Sequence, residues 1–168
     1  MRVAVTGTPG VGKTTVARRL ADQRGAGYVD VTEQVRGGAS AGYDEKRKAP
    51  IADIDALREK MPEDAVLDGH LSHRLDPDYV VLLRCAPDFL RSRLEEREWD
   101  EEKIEENVKA EALDVTAAEA FGVDAPVFES DTTDATVDET VKRVAQAVED
   151  RETRTGVVDW SAYMGGRL

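Results

Sequence analysis

The sequence predicts an α/β domain of three layers, five parallel strands covered by helices on both faces. Three observations carry this. A short apolar run, Val3-Ala4-Val5, leads into a glycine-rich stretch, Gly7 to Thr15, and a helical pattern follows to Arg24. Short apolar runs then alternate with segments of helical period along the chain. One run, Tyr79–Arg84, is almost continuously apolar, which suits a parallel strand buried on both sides.

Arg2–Thr6 reads as a central strand. Thr15–Arg24 places Val16, Ala17, Leu20 and Ala21 on one face, and Gly25 and Gly27 stop that helix. Gly27–Val31 is the second strand, and strand, helix and strand make a parallel βαβ unit. Thr32 to Pro50 is polar and turn-rich, and reads as a long irregular flap. Pro50–Met61 follows as an amphipathic helix with Pro50 near its first position. Ala65–Asp68 is a third strand that ends in a carboxylate, and Tyr79–Arg84 is the fourth. Pro87–Glu96 and Lys103–Phe121 read as helices, with a short charged interruption between them. Val127–Ser130 is the fifth strand. Thr136–Asp150 is the last helix, with Thr136 and Glu139 spaced for a capping box. The expected division is a main domain over 1–150, with a flap at about 32–61 and a lid at about 96–107, and a tail over 151–168. In the tail, Trp160 and Tyr163 are expected to dock on the body or on a partner, and Gly165 and Gly166 to mark a frayed end.

Gly7-Thr8-Pro9-Gly10-Val11-Gly12-Lys13-Thr14-Thr15 fits the phosphate-binding loop G-x-x-x-x-G-K-[ST]. Glycines let backbone N–H groups turn inward as an anion nest. The next helix directs its free N-terminal donors and positive dipole end at the phosphates. Lys13 would reach the β- and γ-phosphates, and the Thr14 hydroxyl would bind Mg²⁺. An apolar strand ending in Asp68 supplies the second half of that chemistry, a carboxylate beside the metal and its waters.

The chain has 168 residues, and Asp plus Glu number 35 against 23 Lys plus Arg, a net charge of −12. That balance argues against a broad basic surface for nucleic acid. Arginine outnumbers lysine sixteen to seven. Acidic, lysine-poor surfaces suit a salt-rich cytoplasm, so a halophilic host is expected. No stretch approaches a membrane span, and residue 1 leads straight into the first strand, so a cytoplasmic protein is expected. The single cysteine, Cys85, excludes an internal disulfide and reads as a small buried hydrophobe.

A phosphate loop near residue 10, a flap after the second strand and a short lid between late helices resemble the nucleoside monophosphate kinases. Within that group the chain resembles the adenylate kinase isoenzyme 6 family, including its archaeal members. Beyond the loop, the matching stretches are Gly42-Tyr43-Asp44, Asp68-Gly69-His70, and Arg97-x-Trp99 with Lys103-Ile104 and Asn107. The resemblance covers about residues 2–150. It implies phosphoryl transfer between ATP and a nucleoside monophosphate, typically AMP, and also ATP hydrolysis in late maturation of the small ribosomal subunit. The implied partners are a small-subunit ribosomal protein of the S-eleven type and, transiently, pre-30S particles.

Carried over by position, Gly10, Gly12, Lys13, Thr14 and Thr15 would hold ATP and Mg²⁺, and Asp68 would orient the metal's waters. His70 would position the acceptor or a hydrolytic water; capping the loop is its alternative role. Arg97 is the lid arginine, and its alternative is a solvated helix end, the reading given to Arg91 and Arg93. Trp99 is expected to pack the lid hinge, with packing against the adenine as its alternative. Arg36 is the candidate clamp for the monophosphate, with a surface arginine nearly as good a reading. The family's adenine-contact lysine is not evident; the region reads Asp131-Thr132-Thr133, so backbone contact to adenine is expected there. His73 is expected to be structural. The lid is acidic, with Glu98, Asp100, Glu101 and Glu102, which favours a slow kinase with appreciable ATPase activity. The alternatives are an assembly ATPase whose kinase activity is incidental, or a kinase of another small metabolite.

Overall fold

The computed structural model describes residues 1–45 and 48–165. In chain order the elements are β1 (Arg2–Thr6), α1 (Lys13–Arg24), β2 (Gly27–Asp30), α2 (Val31–Arg36), β3 (Ser40–Asp44), β4 (Ala49–Ala52), α3 (Ile54–Lys60), β5 (Ala65–Asp68), β6 (Tyr79–Arg84), α4 (Pro87–Glu95), α5 (Glu101–Ala112), α6 (Val115–Phe121), β7 (Val127–Asp131), α7 (Val137–Asp150) and α8 (Ser161–Gly165). Five strands form one sheet, ordered β2-β5-β1-β6-β7, with every neighbouring pair parallel.

Strand alternation explains the layers. Val3, Val5, Val66, Tyr79, Val81 and Leu83 share one buried cluster with Val16, Leu20, Leu90, Ile104, Val141 and Val144. On the opposite side, Ala4, Val80 and Leu82 meet Ala117 and Ala120, while Ala65 and Leu67 meet Val31, Val35 and Leu57. Both faces are apolar because both are covered. Each fully buried Val or Leu contributes about 1.5–3 kcal/mol by leaving water. Cys85 lies in the first cluster, and burial pushes its thiol up to about 11, so it behaves as the small hydrophobe expected.

The capping box of α7 forms: Glu139 N donates to Thr136 Oγ1 at 3.2 Å, and Thr136 N donates to Glu139 Oε2 at 2.8 Å. Four expectations need correction. The second strand stops at Asp30 and not Val31, because Asp30 caps a helix: Glu33 N donates to its Oδ1 at 3.1 Å. The flap is not irregular. It holds α2 and an antiparallel hairpin, β3 with β4, and Pro50 sits in β4 opposite Tyr43 instead of opening a helix. The helix begins at Ile54, capped by Asp53, whose Oδ1 accepts from Ala56 N at 3.0 Å. The expected helix over 103–121 is two, starting at Glu101 and broken at Leu113-Asp114, where Asp114 adopts φ 55°.

The tail docks. Arg154 bridges in parallel to Phe128 of β7, with Glu129 N donating to Arg154 O at 2.7 Å and Arg154 N to Val127 O at 2.9 Å. Trp160 reaches the body, as expected, by donating Nε1–H to Glu111 Oε1 at 3.2 Å, and Tyr163 packs half-buried against the main cluster. Gly166 lies outside the described residues.

Candidate active site

The carboxyl ends of β1, β5, β6 and β2 converge on one edge of the sheet, where open parallel sheets take their ligands. The glycine-rich loop leaves β1 there. A Cβ on Gly7 would sit 2.4 Å from the Leu83 carbonyl, so only glycine lets the loop pass β6. Gly12 caps α1 with φ 102° and has no side chain to satisfy the first-turn N–H groups. Those donors are left for an anion. Thr14 and Thr15 are exposed at the helix start.

Lys13 is half-buried and donates from Nζ to Thr8 O at 3.0 Å. Desolvation lowers its pKa to about 8; Asp68 and Glu111 oppose this and Arg97 adds to it. The carboxylate of Asp68 and the guanidinium of Arg97 are therefore both within electrostatic reach of Lys13. Asp68 is buried and accepts from Tyr28 Oη at 2.8 Å on Oδ2. Burial and then Asp68 push the Tyr28 phenol up to about 12, so it remains a donor and fixes the carboxylate. Arg18 stacks over the Tyr28 ring, 4.8 Å from its centroid. Tyr28 was not singled out by the sequence, because its partner Asp68 lies 40 residues away in the chain.

A cleft of about 530 Å³ opens beside this edge. Its walls come from the flap and from the loop after β5, and they include Thr32, Arg36, Ile54, His70 and Arg74. Arg36 lines the cleft, and Arg74 is a second cation there, paired to Glu119 at 2.8 Å. His70 is exposed in the open cleft, yet crowding by its walls and the Lys13 charge lower its pKa to about 4, so it is neutral at pH 7.

His73 is structural, as expected. It is buried, with Nδ1 2.9 Å from Thr6 Oγ1 and Nε2 3.2 Å from Glu119 Oε2. The Thr6 hydroxyl also lies 3.3 Å from the His70 carbonyl, so this chain anchors the loop that carries His70. Burial lowers the His73 pKa, with Glu119 opposing it. Unfolded histidines titrate near 6.5, above both folded values. The unfolded chain therefore binds more protons below about 6.5, and stability falls as pH drops past that point. Melting temperatures of wild type and His73→Gln, measured from pH 7.5 to 4.5, should converge as the pH falls.

Lid geometry corrects the reading of two arginines. Arg91 pairs with Glu101 at 2.8 Å and with Glu105, tying α4 to α5 across the lid. Arg93 donates from Nη2 to the Thr132 carbonyl at 2.8 Å and from Nη1 to Thr132 Oγ1 at 3.2 Å. The Thr132 hydroxyl has two carbonyls within donating distance, Arg84 O at 2.9 Å and Val11 O of the phosphate loop at 3.1 Å, so Arg93 braces the loop after β7 beside the phosphate loop. Arg97 is exposed on the turn between α4 and α5, and Trp99 is partly exposed on the same turn, with its backbone N–H donating to Leu94 O at 3.3 Å.

The family model described as an AAA domain matches residues 3–114. Over 168 residues the chain is 40% identical to a Methanocaldococcus jannaschii protein named "Putative adenylate kinase", spanning 96% of this chain and 93% of the relative. A Halobacterium salinarum protein of the same name is 42% identical over 171 residues, spanning 98% of this chain and 100% of the relative. The chain belongs to this archaeal adenylate kinase family. That bears out the resemblance carried by the phosphate loop and by Asp68-Gly69-His70. Among solved structures, a deoxyadenosine kinase from M. mycoides superimposes with a TM-score of 0.65 at 17% identity, over 90% of this chain and 100% of that one. A shikimate kinase from Bacteroides thetaiotaomicron gives 0.56 at 18% identity, over 89% and 98%. At such identities these neighbours bear on the fold alone, and their fold agrees with the five-stranded parallel sheet of this family member. Among the described residues, no helix is long and apolar enough to cross a membrane.

Proposed function

We propose that the protein transfers a phosphoryl group from ATP to a nucleoside monophosphate, in the adenylate kinase manner ATP + AMP = 2 ADP. One observation carries this reading: His70 lines the flap cleft while lying within electrostatic range of Lys13. Two anion-ready sites therefore meet at one imidazole. The relatives' name points the same way.

The roles follow from position. First-turn N–H groups of α1 with Gly10, Gly12, Lys13, Thr14 and Thr15 bind the donor phosphates. Thr14 and the Oδ1 side of Asp68, whose Oδ2 is held by Tyr28, fit a Mg²⁺ that keeps waters and phosphates as its other ligands. Bound there, Mg²⁺ would neutralise charge on the phosphates. Arg36 holds the acceptor phosphate. Neutral His70 orients the attacking oxygen, and Arg97 offsets charge on the transferred group. Arg93 and the Thr132–Thr133 backbone form the wall against which the adenine stacks.

ATP hydrolysis is part of the proposal, because an acidic lid with Arg97 as its one basic residue between α4 and α5 excludes water poorly. A ribosome-assembly role, through an S-eleven-type protein and pre-30S particles, is the second reading, and the thin lid favours it. The acidic surface belongs to a salt-rich cytoplasm. His70→Ala is expected to lower kcat about a hundredfold, with ATP affinity nearly unchanged. Equal loss of both would make His70 structural.

A further inference from the structure

The phosphate loop is tied to the C-terminal tail through a buried ion cluster. Glu111, near the end of α5, is buried and accepts four hydrogen bonds. Thr8 Oγ1 of the phosphate loop donates to its Oε2 at 2.5 Å. Its Oε1 takes Arg84 Nε at 2.7 Å, Cys85 N at 3.2 Å and Trp160 Nε1 at 3.2 Å. Glu129 is also buried, and accepts from Arg84 Nη1 at 2.8 Å and from Val157 N at 2.8 Å. Thus the tail supplies one donor to each of two buried carboxylates. The Trp160 ring also covers the Arg84 guanidinium, 5.9 Å from its centroid.

We propose that Glu111 is the positioning residue of the phosphate loop and that tail docking, through Trp160, sets how tightly that loop holds nucleotide. Thr8 is held at both ends, its hydroxyl by Glu111 and its carbonyl by Lys13. Lys13 must leave that carbonyl to reach a phosphate, and Glu111 then remains as the anchor of Thr8. The Glu111 charge also acts on Lys13, opposing the desolvation that lowers its pKa. Undocking the tail admits water to Oε1 and leaves only Arg84 and Cys85 to hold it, so the carboxylate is fixed less tightly and Thr8 with it. Buried polar networks of this kind are rigid only when every member is satisfied.

Coupling between two sites is reciprocal. If the docked tail tightens nucleotide binding, nucleotide must tighten tail docking by the same factor. The proposal rests on the phosphate loop binding nucleotide, and not on which acceptor is used.

The test uses the full chain with ADP and Mg²⁺. In the wild type, amide hydrogen exchange over residues 154–160 should slow about fivefold or more when ADP saturates the protein. Trp160→Phe, which keeps an aromatic ring and loses the N–H, and Trp160→Ala should weaken ADP binding in that order, the latter about fivefold or more. Thr8→Val combined with Trp160→Ala should cost less affinity than the two single effects together, because both act through Glu111. Unchanged tail exchange in the wild type overturns the proposal even if the variants fail to fold. Additive affinity losses overturn the Glu111 route. A wild type that binds no ADP overturns the phosphate-loop reading itself, and this proposal with it.

Discussion

Replacing Arg84 by Ala should destabilise the fold by roughly 3–5 kcal/mol, the cost of stranding a buried charge. Arg84 closes β6 with its side chain almost fully buried. It pairs with Glu111 at 2.7 Å, with Glu129 at 2.8 Å and with Asp114. Burial alone would lower its pKa, but the facing carboxylates, Glu111 first, raise it. Without the guanidinium, Glu111 and Glu129 stay dry with no cation between them. A loss of that size is a large part of a domain's usual 5–15 kcal/mol. Urea unfolding should show a lower midpoint at an unchanged slope. Arg91→Ala, which removes pairs to exposed glutamates, should change stability by about 1 kcal/mol or less. Equal effects of the two substitutions would mean the buried cluster does not hold β6, β7 and α5 together.

Arg97→Ala should lower kcat by roughly a thousandfold, the lower range for an arginine that offsets charge on a transferring phosphoryl group. Its position on the exposed turn between α4 and α5, within electrostatic reach of Lys13, makes it the cation the lid can bring over the phosphates. ATP affinity should change far less, because the phosphate loop and Lys13 do the holding. Arg97→Lys should recover only part of the rate, since an ammonium lacks the planar fork that meets two phosphate oxygens. Steady-state kinetics with ATP titrated against saturating AMP separates the two quantities. An unchanged kcat would return Arg97 to the solvated surface.

Where local pattern and tertiary packing agree, the sequence was sufficient. The strands Arg2–Thr6, Ala65–Asp68 and Tyr79–Arg84 have the bounds expected, because a parallel strand buried on both faces leaves a continuous apolar run. The phosphate loop and the capping box of α7 are motifs whose residues do their work within a few positions. The flap was not legible. Its hairpin is short, carries Gly42 and Pro50, and is exposed along β3, so no alternation marks it. The break at Asp114 was hidden for another reason. Helical period continues through it, and the left-handed turn carries a carboxylate that pairs with Arg84, thirty residues earlier in the chain. The same holds for the site. Lys13, Asp68 and His70 were visible as motif members. Tyr28, Arg93 and Glu111 were not, because their partners are distant in sequence: Asp68, the Thr132 carbonyl and Thr8.

The proposed acceptor site is the flap cleft, which His70 lines beside the phosphate loop. The most direct measurement is the initial rate of ADP formation from ATP and Mg²⁺ as AMP is titrated, in wild type and in Arg36→Ala. Saturable stimulation by AMP is expected in the wild type, with the AMP concentration for half-maximal rate raised in Arg36→Ala and the AMP-free rate unchanged. An ADP rate that AMP leaves untouched in both proteins would contradict it, and would leave ATP hydrolysis as the activity of this site.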